Sequence, residues 1–163
     1  MKLKRFTSGL ITTLALVLVV GACSKKKVGE EQEGASDITS FDGKNGGSGT
    51  KIPELDTVYF EYDSFALTAG SKKALAAAAD WIKANATIQV QVEGHCDERG
   101  TTEYNLALGE RRAGSVKDYL IGKGVPSAQL STISYGEERP SVSGSDESAW
   151  AKNRRAEFVS VGK

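Results

Sequence analysis

The sequence predicts an α+β domain: a two-layer sandwich of βαβαβ type, with two main helices packed on one face of a mixed sheet. Three observations carry that expectation. Thr87 to Glu93, TIQVQVE, alternates strictly between Ile88, Val90, Val92 and Gln89, Gln91, Glu93, the period-two pattern of a strand with one buried and one wet face. Two longer stretches, from Thr68 to Asn85 and from Glu103 to Gly122, space their apolar residues at helical intervals and have recognisable ends. Strand-like runs flank both, giving two strand-helix-strand passages and a closing strand.

The chain of 163 residues suits one ordinary domain plus some unstructured length. Residues 1–22 read as an export signal: a basic start, an apolar run from Leu14 to Val20, and small residues before Cys23. The run is too short for a permanent membrane helix, which needs roughly 20 apolar residues, so cleavage is expected. Val20-Gly21-Ala22-Cys23 resembles the bacterial lipobox. That resemblance implies a lipidated Cys23 as the mature N-terminus, each buried CH₂ adding about 0.8 kcal/mol of membrane affinity. Ser24 in the following position implies sorting to the outer membrane. Residues 23–50 are rich in charge, Gly and Ser with few large apolar residues, so they are expected to form a flexible tether spanning about 30 Å.

The folded domain is assigned to residues 51–163. Asp56 to Tyr62, DTVYFEY, alternates around Val58, Phe60 and Tyr62 and predicts a first strand, followed by a loop carrying Asp63, Ser64 and Phe65. Thr68 is the expected N-cap of the first helix, with Leu75, Ala78, Ala79 and Ile82 as its buried stripe and Trp81 at the margin. After the second strand a polar loop runs through Gly100 into the second helix, which Gly122 and Gly124 stop. Ser131–Tyr135 predicts a third strand, residues 136–148 a polar loop, and Arg154–Val161 the last strand.

Charge narrows the function. The net is zero, and loss of Lys2, Lys4 and Arg5 with the signal leaves 18 basic against 21 acidic residues, about −3. Nucleic acid, which demands a basic surface, is not an expected partner. His95 is the only histidine and adjoins Cys96, and adjacent side chains on extended backbone point to opposite faces, so no thiolate-imidazole pair and no enzyme activity are expected. His95, Cys96 and Asp97 are consecutive and lack a second Cys/His cluster, so neither a metal nor another cofactor is expected. Cys23 and Cys96 are expected to have separate fates rather than to form a disulfide.

The stretch from Gly94 to Arg112, GHCDERGTTEYNLALGERR, concentrates the remaining chemistry. With Leu106 at zero on a 100° wheel, Gly109, Ala113, Val116 and Leu120 form a stripe centred near about −35°, which leaves Arg112 about 85° off centre at the core boundary beside Asn105 and Leu108. Arg112 is then either a snorkelling boundary arginine or part of a groove. Asp97 and Glu98 precede the helix, where they either stabilise the turn or present an acid to a ligand. A ligand that wants both an acid and a guanidinium is a zwitterionic amino-acid end, its ammonium on the carboxylate and its carboxylate on the arginine fork.

YFEYDS, VEGHCDERGTTEYNLALGERRAGSVKDYLIGKGV, SYGEERP and NRRAEF, in that order and spacing, resemble the OmpA-like peptidoglycan-binding domain from about Asp56 to Val161. The resemblance implies non-covalent binding of the diaminopimelate side chain of the cell-wall stem peptide. It implies Asp97 for the ammonium or nearby amides and Arg112 for the free carboxylate, with Tyr62, Asp63, Arg99, Thr101 and Leu108 as further ligand contacts. Asn105, Arg154 and Arg155 would support the site, at least one of the arginines matching NRR bracing it by ion pairing with Asn153 beside them. Cys96 departs from the family, where Ala or Thr is commoner, and is expected to be a small buried residue. A second reading is an adaptor of the Tol envelope-division system, whose main ligand is a TolB-like periplasmic protein.

Overall fold

The structure, a computed structural model, describes residues 49–162; the expected signal, the lipidated Cys23 and nearly all of the tether lie outside the described residues. In chain order the elements are β1 Thr50–Lys51, β2 Val58–Tyr59, α1 Ala69–Ala84, β3 Gln89–His95, α2 Thr102–Gly122, a 3₁₀ turn Ser127–Gln129, β4 Leu130–Gly136, α3 Glu147–Asn153 and β5 Arg155–Val161. The sheet order is β1-β5-β3-β4, with β2 also on β5. β3 and β4 are parallel and joined across α2, whereas β5 runs antiparallel to β1, β2 and β3. The expected α+β sandwich on a mixed sheet is therefore the observed fold. No helix among the described residues is long and apolar enough to cross a membrane.

Local chemistry explains the helix ends. Thr68 Oγ1 accepts the Ser71 N–H at 3.1 Å and starts α1. Leu75, Ala78, Ala79 and Ile82 are its buried residues, the stripe expected from spacing. Thr101 caps α2 in the same way, accepting the Tyr104 N–H at 3.2 Å. At the other end Gly124 adopts φ +87° while the Val125 N–H reaches Leu120 O and the Gly124 N–H reaches Ile121 O, a pair of reverse bonds that ends α2 sharply. Val90, Val92, Val116, Leu120, Ile82 and Phe158 lie in the core between the helices and the sheet. Each large apolar side chain buried there contributes roughly 1.5–3 kcal/mol.

Beneath α1, the Gln129 side-chain amide donates to the carbonyls of Ile82, Asn85 and Ile88 at 3.0–3.1 Å. Ile82 O and Asn85 O each also accept one backbone N–H, from Asn85 and Ile88, and the glutamine amide adds a second bond at this helix end. Gln129→Ala is expected to cost about 2 kcal/mol through loss of these buried side-chain bonds. Urea denaturation checks this through a lower midpoint at unchanged slope.

Four expectations require correction. The first strand pairs only at Val58–Tyr59, because beyond it the Phe60 and Glu61 carbonyls are taken by Arg154 Nε at 3.1 Å and Arg112 Nη2 at 3.2 Å, and the chain turns through Asp63 at φ 50°. The polar loop after β4 ends in a third helix, α3, capped by Asp146 Oδ1, which accepts the Ala149 N–H at 2.9 Å. Seven residues are too few for a visible helical period. The buried face of α2 comprises Asn105, Leu108, Gly109, Arg112, Ala113, Val116 and Leu120, while Leu106 is exposed. That recentres the buried arc near about −80°, putting Arg112 inside it instead of on its edge. Finally, Glu93 is not wet: its side chain is buried on the sheet face that points away from α1 and α2.

Candidate functional site

A cleft of about 300 Å³ opens where the ends of β3 and α2 meet. Tyr62 and Asp63 line it from the loop after β2, Cys96, Asp97, Arg99 and Gly100 from the loop after β3, and Tyr104, Asn105, Leu108 and Arg112 from the first turns of α2. The depth of α2 in the sandwich places these side chains. A Cβ on Gly94 would lie 2.0 Å from the carbonyl oxygen of Gly109, and one on Gly109 would lie 2.2 Å from Ser134 Oγ. Two glycines therefore let helix and strand backbones touch, and Leu108 and Arg112 ride with Gly109 into the cleft.

Arg112 is 1% exposed. Its Nε donates to Ser64 O at 2.9 Å, its Nη1 to His95 O at 2.8 Å and Cys96 Sγ at 3.3 Å, and its Nη2 to Glu61 O. Among the described residues no carboxylate pairs with it. Burial alone would pull its proton affinity down, but a guanidinium stays charged throughout the usable pH range. The result is a buried cation held by neutral acceptors at the wall of a cleft, which favours an incoming anion.

Asp97 is also buried but is already paired. Oδ1 accepts from Arg99 N and Nε, both at 3.1 Å, and Oδ2 from Arg99 Nη2 at 2.7 Å and Arg154 Nη1 at 3.4 Å. Burial by itself would raise the carboxyl pKa, and the bonds from Arg99 and Arg154 together outweigh it, holding the group below 3.8. Arg99 lies between the rings of Tyr62 and Trp150, its guanidinium carbon 4.0 Å from each centroid. Glu147, on α3, pairs with Arg154 at 2.7 Å and stands 3.8 Å from Arg99. Asp97 and Arg112 thus share the cleft without forming an ion pair with each other.

The other expected residues divide. Asp63 accepts a hydrogen bond from the Tyr104 hydroxyl, and its carboxylate raises the tyrosine pKa. Asn105 holds the loop from beneath, donating to the Asp97 and Arg99 carbonyls at 3.3 Å and to Glu137. Leu108 lines the cleft, whereas Thr101 acts as the helix cap and is outside the lining. Arg154 braces Asp97 from behind. Arg155 does not reach the cleft: it lies on the far sheet face, with Nε 3.0 Å from Glu157 Oε1. Asn153 ties the preceding loop instead, accepting from Ser141 N and Val142 N at 2.8 and 3.0 Å.

Spacing pointed to none of Tyr104, Glu137, Glu147 and Trp150. Tyr104, Glu137 and Trp150 act through pairings 32 to 52 residues apart, such as Trp150 Nε1 donating to Glu98, which leave no local pattern, and Glu147 meets Arg154 across the end of a helix too short to show one. Cys96 is a buried free thiol, donating to Asn105 O, and burial pushes its pKa up to about 11. Its adduct with iodoacetamide at pH 8 is expected to form only after unfolding, as peptide mass spectrometry of native and urea-treated protein would report. His95 points to the opposite face, so the two groups suited to nucleophilic chemistry are separated by the sheet.

Fold and cleft define a class: an α+β domain with a preformed polar seat in which an acid and a buried guanidinium face one small volume. The family model described as the OmpA family matches residues 59–154, and the chain belongs to that family. The peptidoglycan-associated lipoprotein of Pseudomonas putida is 45% identical, with 97% of this chain and 99% of the relative covered. That of Haemophilus influenzae is 54% identical over 62% of this chain and 66% of its own. Among solved structures, the peptidoglycan-associated lipoprotein of Burkholderia pseudomallei aligns with TM-score 0.63 and 41% identity, covering 64% of this chain and 89% of that one. The C-terminal domain of Helicobacter pylori MotB aligns with TM-score 0.62 at 26% identity, over 67% and 86% of the two chains.

Proposed function

We propose that this protein is an outer-membrane lipoprotein, anchored through Cys23, whose periplasmic domain binds peptidoglycan non-covalently and ties the membrane to the wall without catalysis. The ligand is the zwitterionic end of diaminopimelate in the stem peptide. One observation carries the reading: a buried, carboxylate-free Arg112 and the acids Asp97 and Asp63 line a single cleft. The ligand carboxylate takes the guanidinium and the ligand ammonium takes the acids. Kinship with peptidoglycan-associated lipoproteins supports the wall as partner.

Asp97 already binds Arg99, so the ammonium shares the carboxylate with a partly exposed guanidinium held between Tyr62 and Trp150. Ligand pairing needs the ionised acid. Because the folded pKa lies below the usual 3.8, Asp97 stays ionised down through pH 5 and its pairing stability is lost only as pH falls through that lowered value. Co-sedimentation with diaminopimelate-type sacculi is therefore expected to be level from about pH 7 down to about pH 4 and to fall only at pH values below 3.8. Loss of binding already at pH 6 would point to a different group.

The exposed rings of Tyr62 and Tyr104 at the cleft mouth, 59% and 48% accessible, favour a second reading in which the same face docks a TolB-like protein of the Tol system. If one face serves both, saturating muropeptide is expected to release the protein partner in a pull-down. Partner capture indifferent to muropeptide would place docking elsewhere.

A further inference from the structure

The far face of the sheet, away from the cleft, carries a buried polar cluster that wall binding does not use. Glu93 on β3 is paired in register with Glu157 on β5, and His95 lies two residues beyond Glu93 on the same face. Like charges directly opposite one another in a sheet repel. His95 is 1% exposed, and its Nδ1 and Nε2 are, among the described residues, the buried side-chain nitrogens or oxygens without a hydrogen-bond partner. The Arg139 backbone lies beside the ring but outside hydrogen-bond geometry. Nε2 stands 3.9 Å from Glu93 Oε2. Beside two carboxylates that face each other, the imidazole is the group that the surrounding protein leaves without a hydrogen-bond partner.

We propose that Glu93, His95 and Glu157 form a site for a borderline divalent metal ion of the Zn²⁺ class, joining β3 to β5. One oxygen of each glutamate and one imidazole nitrogen all lie within 4.8 Å of one another. Ligands around Zn²⁺ at about 2.0–2.2 Å stand closer together than that, so small rotamer shifts draw them in, and water takes the fourth position. Burial lowers the His95 pKa to about 4, which leaves the neutral imidazole a metal needs. Two cations already bond to the cluster, Arg155 and Lys51 on Glu157 Oε1 at 3.0 and 3.4 Å, and Arg139, stacked on Tyr135, adds positive charge nearby. Their competition for the carboxylates disfavours a hard ion such as Ca²⁺, which needs six to eight oxygens, and favours one that gains from the imidazole. The consecutive run His95-Cys96-Asp97 still makes no site, because Cys96 bonds to α2 and Asp97 to its arginines. The ligands come instead from neighbouring strands 62 residues apart, a pairing that only the sheet register reveals.

His95 is the chain's only histidine, which makes the test specific. Full-length protein labelled with ¹⁵N-histidine is titrated with Zn²⁺ while the ring nitrogens are followed by NMR and the melting temperature is recorded. The expected result is a saturable shift of Nε2 at one ion per chain, a rise in melting temperature, and affinity weakened at least tenfold in each of Glu93→Gln and Glu157→Gln. Glu157 is less buried than Glu93, and its glutamine variant is checked for folding by circular dichroism. Absence of a saturable Nε2 shift, or equal affinity in both glutamine variants and the unmutated chain, would overturn the proposal.

Discussion

Chains carrying Asp97→Asn or Arg112→Lys are expected to remain in the supernatant when diaminopimelate-type sacculi are sedimented, under conditions that pellet the unmutated protein. Each change is nearly isosteric or keeps the charge, and circular dichroism of each variant separates lost recognition from lost fold. Arg112 presents a planar fork fixed by the carbonyls of Ser64, His95 and Glu61; a lysine keeps one point charge and loses both the fork and most of those bonds. Breaking a buried, hydrogen-bonded charge pair costs about 2–5 kcal/mol of binding, roughly thirty- to several-thousandfold in affinity. Arg112→Ala and Asp97→Ala are expected to be at least as severe, and charge reversal worse still. Sedimentation of all of these at unmutated levels would remove the cleft from the account.

Gly94→Ala is expected to be the most destabilising small substitution in the domain. Its new Cβ would sit 2.0 Å from a backbone oxygen of α2, which cannot swing aside as a side chain does. The helix must lift off the sheet, and Leu108, Arg112 and Val116 lift with it. Overpacking of this kind costs about 3 kcal/mol, roughly 10–15 °C in melting temperature for a domain of this size. The change also blurs the cleft, so wall binding is expected to weaken even where the protein remains folded. A melting temperature within 2–3 °C of the parent, about 0.5 kcal/mol, would show that the helix-strand contact is not tight.

Much of the scaffold was legible because it obeys local rules. Thr68 and the Leu75-Ala78-Ala79-Ile82 stripe reported α1 by capping and period, and the alternation around Val90 and Val92 reported β3. Charge and spacing drew attention to Asp97 and Arg112, and family resemblance gave their pairing with a ligand its content. The burial of Arg112 was not legible in the same way. On a wheel weighted by apolarity, Leu106 pulled the buried face toward itself, whereas the fold turns the helix so that an arginine, an asparagine and a glycine face inward. Such a face is tolerable only because three backbone carbonyls, a thiol and a neighbouring glycine meet it, and these come from distant parts of the chain. Nor could spacing separate the neighbours Arg154 and Arg155. One braces Asp97 while the other joins the far face, a division set by where α3 ends and β5 begins.

The sharpest test of the central claim, that this cleft reads both ends of a zwitterion, is calorimetric titration of the protein with two muropeptides differing only in the third stem residue. Diaminopimelate carries the distal ammonium and carboxylate; lysine carries the ammonium alone. Binding of the diaminopimelate muropeptide with loss of at least tenfold for its lysine counterpart is the predicted result. Equal affinity for the two would contradict the account, because Arg112 would then have no carboxylate to hold.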